Sequence, residues 1–383
     1  MTREEHTSDV LVIGAGPAGA AAAALLARAG LDVALLDRAR FPRDKTCGDA
    51  ISGAGLALLD EIGAGDAVRS GPHAPVRHGA ALFPDGAHVL RSYADHGMIV
   101  PRLQLDDTIR AAAQRAGAKL HEGVRVERLL SEGERVVGAE SAGARWRARL
   151  VIAADGYGSV ALPVLGVQTP RGRHLGVSST LYARDTRHPL GDDVAEHFFE
   201  HDLPYGYAWL FPAVDGIANL GVYLTAEGYA LTGRTLHQLL QRFIARHPER
   251  FSAMTAVGKV RTWSLPLAPA PMAVSAPGLL LVGDAGHFVD PFTGEGIWQA
   301  LFTARAAAHV TLEALQQAGG LDDELRARFA RECDAAIGRP SRTKSRIQRA
   351  MRWLVAGYAY RLPPVRAGFR WAYVSRSFGM TKA

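Results

Sequence analysis

Cysteine is nearly absent from this chain. Only Cys47 and Cys333 occur in 383 residues, which excludes a disulfide framework and fits a reducing cytosol. Acidic residues are missing from the C-terminal end. From Arg339 onward there are eleven Lys/Arg and no Asp or Glu, while the remaining chain carries 33 basic against 38 acidic residues. The net charge of +6 is therefore a property of the tail. Metal-ligand spacings are lacking, so no metal is expected, and no Ser/His/Asp arrangement is legible. No recognised nucleic-acid-binding fold is present either, so no nucleic-acid partner is expected. Internal repeats and low-complexity segments are absent. Long apolar runs are scarce. Val10 to Ala27 runs 18 residues without a charge and meets a crude membrane-span threshold. Gly14, Gly16, Pro17 and Gly19 break it at a turn, so it reads as a buried strand followed by an Ala-rich helix. The opening MTREEHTSDV has no apolar signal core, and a cytoplasmic location is expected.

What is present is an alternation of strands and helices. Asp9–Ile13 reads as a strand buried on both faces, Ala18–Ala29 as a helix and Leu31–Asp37 as the next buried strand. Strand, helix, strand within about thirty residues is a βαβ unit. Further along, 74–100 reads as β-hairpins, Arg102–Ala116 as a helix, and Leu120–Leu130 with Arg135–Ala139 as paired strands. Arg149–Ala154 reads as a buried strand. Strand-like alternation returns over 175–182 and 194–225. Leu236–Arg246 reads as a helix, Val260–Leu265 and Leu279–Asp284 as strands, and Gly296–Leu315 as a long helix. The remainder reads as helical up to Pro363-Pro364.

The expected fold is α/β. A Rossmann-like nucleotide-binding domain is discontinuous over 1–73, 97–165 and 275–320. An antiparallel β-sheet substrate domain occupies 74–96 and 166–274. A basic helical region covers 321–383.

Gly14-Ala15-Gly16-Pro17-Ala18-Gly19 is G-x-G-x-x-G between a predicted strand and a predicted helix, with Asp37 ending the following strand. Gly14 permits the tight turn, Gly16 admits a pyrophosphate, and Gly19 lets helix and strand approach. Pro17 and Ala18 open a helix whose N-terminus favours phosphate. Asp37, followed by Arg38, can hold a ribose. This fingerprint alone does not choose between FAD and NAD. The second piece does: LLLVGD at 279–284, then a glycine-rich helix start at Gly294 and Gly296. Asp284 can hold a ribityl or ribose hydroxyl, and the helix start can face the N1–O2 edge of a reduced flavin. FAD is the expected cofactor. Asp155-Gly156-x-x-Ser159 is a third strand end suited to a dinucleotide, and Arg102 can reach its phosphates. No second G-x-G-x-x-G occurs, so no standing NAD(P)H domain is expected.

These motifs resemble the glutathione-reductase-type FAD superfamily, in the branch of aromatic hydroxylases, flavin halogenases and geranylgeranyl reductases. Phe41-Pro42-Arg43-Asp44-Lys45-Thr46-Cys47-Gly48 looks like the flavin-proximal loop of geranylgeranyl reductases. Pro204-Tyr205-Gly206-Tyr207-Ala208-Trp209-Leu210-Phe211-Pro212 matches their P-x-x-Y-x-W-x-F-P signature at every specified position, and DPFTGEGI at 290–297 is similar. The sequence departs from the family at Gly48-Asp49-Ala50, at His287 and after Ser159. The resemblance implies an FAD enzyme that saturates C=C bonds of prenyl chains. It sets Ala18, Asp37, Cys47, Gly48, Arg102, Val126, Asp284, Gly296 and Ile297 around the flavin. Cys47 is the expected acid, with Tyr207 second, and Trp209 joins them in the catalytic set. Tyr205, Tyr207, Trp209 and Phe211 are the expected substrate contacts. In a strand, Tyr207, Trp209 and Phe211 point to one face and form an aromatic wall. NADPH or a ferredoxin-like donor is expected to supply electrons. The alternative is a monooxygenase acting on an aromatic or polyketide metabolite. The tail interleaves its basic residues with Trp353, Tyr358, Tyr360, Phe369, Trp371, Tyr373 and Phe378, which suits a peripheral contact with anionic lipid.

Overall fold

The computed structural model describes residues 4–268, 274–317, 319–357 and 359–374, with side chains described up to residue 368. Two sheets carry the fold. In the first, Glu4–Ile13 lies between Val33–Asp37 and Ala144–Ala153, all parallel, with Lys119–Glu122 beyond one side and Leu279–Leu281 beyond the other. Each strand end is aligned: Ile13 pairs with both Leu36 and Ala153, so the loops after these strands emerge together. Val126–Glu132 and Arg135–Ser141 add an antiparallel meander to Ala144–Ala153.

The helix Pro17–Arg28 covers this sheet. Ala20 to Ala24 are wholly buried in it. Their small side chains let Arg102–Arg115 and Ile297–Gln316 approach on either side without forfeiting helix propensity. The run that met a membrane threshold is this strand and helix, folded against one another. Among the described residues, no helix is long and apolar enough to cross a membrane.

The second sheet runs in the order Thr255–Pro266, Leu175–Arg184, Ile217–Thr225, Gly206–Val214, Val194–Phe198, Ala74–Leu82, His88–Ile99 and Ala50–Ile51. It is antiparallel except for one pair: Val194–Phe198 runs parallel to Ala74–Leu82. That pair joins strands more than a hundred residues apart, a register no local pattern encodes. The short strand Ala50–Ile51, directly after the Cys47 loop, pairs with Ile99 and Met98 and ties the loop to this sheet.

Several boundaries differ from the reading of the sequence. The stretch 120–130 is two strands, Lys119–Glu122 paired with Val33–Asp37 and Val126–Glu132 paired with Arg135–Ser141. The strand at 279 ends at Leu281, and Gly283–Gly286 forms a 3-10 turn, so Asp284 sits in a turn and not at a strand end. Positive φ at Gly283 and His287 accounts for the early stop. The helical tail does not end at Pro363-Pro364. Those prolines open a further helix, Pro363–Val374, where the missing N–H costs nothing in the first turn. Tyr358 and Phe378 lie outside the described residues, as do the side chains of Phe369, Trp371 and Tyr373.

Candidate active site

The strand ends of the first sheet and one face of the second enclose a cavity of about 750 Å³. Its floor is the fingerprint turn. Gly14 has φ +97°, and a Cβ there would stand 2.5 Å from the Ala154 carbonyl oxygen. A Cβ at Gly19 would stand 1.8 Å from the Gly14 oxygen, so only glycine lets the helix start this close to the strand. Gly19 is thus a packing residue, while Gly14, Gly16, Pro17 and Ala18 line the cavity. The helix begins at Gly16 with no side-chain cap, leaving free N–H groups toward the cavity.

Asp37, Arg38 and Val126 line the same space. The Asp37 carboxylate accepts from Ala15 N and Ala39 N, both at 2.8 Å, which fixes its orientation beside the turn. Arg102 is buried, at 4% exposure, and is not a solvated arginine. Its guanidinium grips Asp106 on its own helix at 2.6 and 2.8 Å and donates to the Cys47 sulfur. Arg43 shares Asp106 at 2.9 Å and sits where a Cβ on Gly16 would be 3.4 Å from it. Arg43 is thus a second cation beside the fingerprint turn, and both it and Arg102 line the cavity.

At the other end, Asp284 pairs with Lys45 at 3.3 Å. Gly294, Gly296 and Ile297 line the cavity, and Ile297–Gln316 also starts without a side-chain cap, at Gly296. Two uncapped helix starts thus face one cavity from two sequence-distant segments. This donor arrangement fits a dinucleotide whose pyrophosphate and flavin both need N–H groups. Asp155 adds a half-buried carboxylate that accepts from Val160 N at 2.9 Å, and desolvation pushes it above the usual carboxylate range.

The second sheet supplies the opposite wall. Tyr207, Trp209 and Phe211 all line the cavity, joined by Phe199, Tyr223 and Phe292. Adjacent ring centroids lie 6.2 Å and 6.0 Å apart along the strand. The wall meets the Cys47 loop: a Cβ on Gly48 would lie 3.0 Å from the Phe211 ring. The Tyr207 hydroxyl donates to the Thr293 carbonyl, and Tyr223 donates to that of Pro291 at 2.7 Å, so the wall also fixes the loop that precedes Gly294. Tyr205 stands apart. Its side chain is not among the cavity-lining groups and packs under the Arg352 guanidinium.

Cys47 lines the cavity, and burial raises its thiol above the ordinary value, against the pull of Arg102. Asp49, two residues on, was missed. It is wholly buried with φ 65°, and burial raises it to about 7. Its Oδ2 accepts from Tyr182 at 2.6 Å and from Asn219 Nδ2 at 2.9 Å. Asn219 Nδ2 also reaches the Cys47 carbonyl at 2.8 Å, and its Oδ1 accepts from Trp209 Nε1 at 2.9 Å. His197, packed on Tyr207 and Phe211, is another unforeseen lining residue; burial lowers it to about 4 and keeps it neutral at physiological pH. The only forewarning of Asp49 was an acidic residue where the resembling loop carries glycine.

The C-terminal helix Arg339–Ala356 clamps the site from outside. Lys344 pairs with the buried Asp290, whose Oδ1 accepts from Phe292 N and Thr293 N. Gln348 Nε2 donates to the Tyr205 and Pro291 carbonyls at 2.9 and 2.8 Å.

A family model described as an FAD binding domain matches residues 7–337. The chain belongs to this family. Menaquinone reductase of Mycolicibacterium smegmatis is 33% identical over 328 residues, covering 82% of this chain and 78% of that protein. Digeranylgeranylglycerophospholipid reductase 1 of Methanopyrus kandleri is 32% identical over 333 residues, covering 81% of each. Among solved structures, a geranylgeranyl bacteriochlorophyll reductase-like protein of Thermoplasma acidophilum is 24% identical with a TM-score of 0.84, covering 92% of this chain and 90% of that one. A flavin-dependent brominase, 19% identical, shares the fold at a TM-score of 0.75, covering 97% and 94%. This family member is an FAD-dependent oxidoreductase of the geranylgeranyl-reductase type.

Proposed function

We propose that this flavoprotein saturates C=C bonds in the prenyl chain of a lipid or prenylated quinone. The observation that carries the reading is the continuous aromatic wall Tyr207–Trp209–Phe211 lying against the Cys47–Gly48 turn inside the cofactor cavity. Reduced FAD, when bound, supplies a hydride. An isolated alkene has no oxygen to polarise, so the protein's contribution is positioning and water exclusion. The aromatic faces of Tyr207, Trp209, Phe199 and Phe292 hold an extended apolar chain, and Cys47 offers a proton at the edge of that wall. Gly14, Gly16, Pro17, Ala18, Asp37, Arg38, Arg43, Cys47, Gly48, Arg102, Val126, Asp284, Gly294, Gly296 and Ile297 are assigned to the cofactor. The relatives carry the names menaquinone reductase and digeranylgeranylglycerophospholipid reductase, and both named substrates bear polyprenyl chains. NADPH or a ferredoxin-like protein is the assigned reductant, and the basic tail is assigned a contact with anionic lipid.

The test is anaerobic. Dithionite-reduced protein is mixed with a geranylgeranyl lipid, and the product is followed by mass. A gain of two hydrogens per double bond supports the reading. No saturation, together with oxygen incorporated into an aromatic substrate when NADPH and air are supplied, would replace it with a monooxygenase.

A further inference from the structure

Behind the Cys47–Gly48 turn lies a carboxylate that the chemistry above leaves unused. Asp49 Oδ2 accepts two hydrogen bonds, from Tyr182 and Asn219, while Oδ1 is buried without a partner. A buried carboxylate with one bare oxygen is costly as an anion and is relieved by a proton. The Asp49 backbone N–H faces the Cys47 sulfur, and the Asp49 charge opposes ionisation of that thiol. On the other side the half-buried Tyr182 donates its hydroxyl to the carboxylate.

We infer that Asp49 is the proton reservoir of this site, resupplying the Cys47 thiol and being recharged from water through the Tyr182 hydroxyl. The inference rests on the alkene reduction proposed above. One new C–H bond takes the hydride and both electrons from reduced FAD, which is oxidised. The other forms as the Cys47 S–H bond breaks. The thiolate then takes the Asp49 proton, and the carboxylate regains one from water by way of Tyr182. The groups facing Asp49 are the Arg102 guanidinium from the helix, Cys47 from its own loop and Tyr182 from the strand, with Asp44 acting on Tyr182. Asn219 and the Arg102 backbone N–H complete its surroundings as neutral donors, and Trp209 donates in turn to Asn219. Burial sets Asp49 near neutrality, where a group can give and regain a proton with least loss.

The experiment is steady-state reduction of a geranylgeranyl lipid by the holoenzyme with dithionite as electron source, where Cys47 must be reloaded in every cycle, across neutral pH, for wild type, Asp49→Asn and Tyr182→Phe. The wild-type rate should fall as pH rises through about 7. Asp49→Asn should lose that midpoint and run at least roughly tenfold slower below it, with FAD retained. Tyr182→Phe removes a donor to the ionised carboxylate, so its midpoint should move upward. An infrared difference spectrum across the midpoint should show a protonated-carboxyl band that Asp49→Asn lacks. An unaltered midpoint and rate in Asp49→Asn would overturn the inference, as would absence of the band from wild type. If Asp49→Asn loses FAD, the Tyr182→Phe midpoint decides: a shift supports the reservoir and no shift refutes it. Wild type that forms no saturated product refutes alkene reduction and the reservoir with it. Saturation at a rate flat across neutrality refutes the reservoir alone.

Discussion

The side-chain amide of Asn219 donates to the carboxylate of Asp49 at 2.9 Å, across 170 residues of chain. The same nitrogen reaches the Cys47 carbonyl, and the amide oxygen accepts from Trp209. One side chain thus locks the loop to the aromatic wall. Asn219→Ala should leave Trp209 Nε1 buried without an acceptor and cost about 2–3 kcal/mol in denaturant unfolding. It also removes a donor that favours the charged carboxylate, so Asp49 should titrate higher still.

Cys47→Ala should cut turnover while flavin remains bound, because the thiol lies at the wall and not at the fingerprint turn. The comparison is flavin absorbance against rate of product formation. Unchanged turnover would remove the thiol from the chemistry.

Asp49 also bears on stability. Its folded pKa is raised from 3.8 to about 7, so the folded state holds a proton that the unfolded chain has released. Folding free energy is therefore lost as pH rises between these two values, by about 4 kcal/mol in all, and stays lost above neutrality. Asp49→Asn keeps an acceptor for Tyr182 and Asn219 without the charge. It should raise Tm at pH 8 and have no such benefit near pH 4, read by thermal unfolding at each pH.

Gly19→Ala should prevent flavin binding. The added carbon would stand 1.8 Å from the Gly14 oxygen, a backbone atom that cannot yield without moving the helix start off the strand. The purified variant should be colourless, and added FAD should not be retained on gel filtration.

The helix Arg339–Ala356 leaves Trp353 73% exposed, and Leu362 follows at 54%. Arg339 and Arg342 share Asp334, so part of their charge is already met. Binding to anionic vesicles should be measurable by sedimentation at low salt and weaken as salt screens it. Trp353→Ser should reduce it without altering flavin content.

The first sheet was largely legible. Glycine spacing, β-branched runs and an acidic residue at each loop carry their meaning within thirty residues, so the βαβ unit, the helix at Leu236 and the long helix at Ile297 were read nearly to their ends. The aromatic wall was legible because a strand's period of two puts Tyr207, Trp209 and Phe211 on one face. Asp49 was not, because its burial is made by Tyr182 and Asn219, 133 and 170 residues away. The place of Arg43 beside the fingerprint turn was not legible for the same reason: its partner Asp106 lies 63 residues away. The parallel pairing of Val194–Phe198 with Ala74–Leu82 likewise has no local signature.

Lys344 and Gln348 hold the Asp290–Pro291 segment from the C-terminal helix, and that segment leads straight into Gly294 and Gly296. Coupling of this kind works in both directions. Whatever steadies the glycine loop must tighten the tail by the same free energy, and whatever peels the tail away must slacken the loop. The helix Arg339–Ala356, remote in sequence from the fingerprint that begins the fold, is therefore a handle on the cavity: grip it, and the occupant inside is gripped as well.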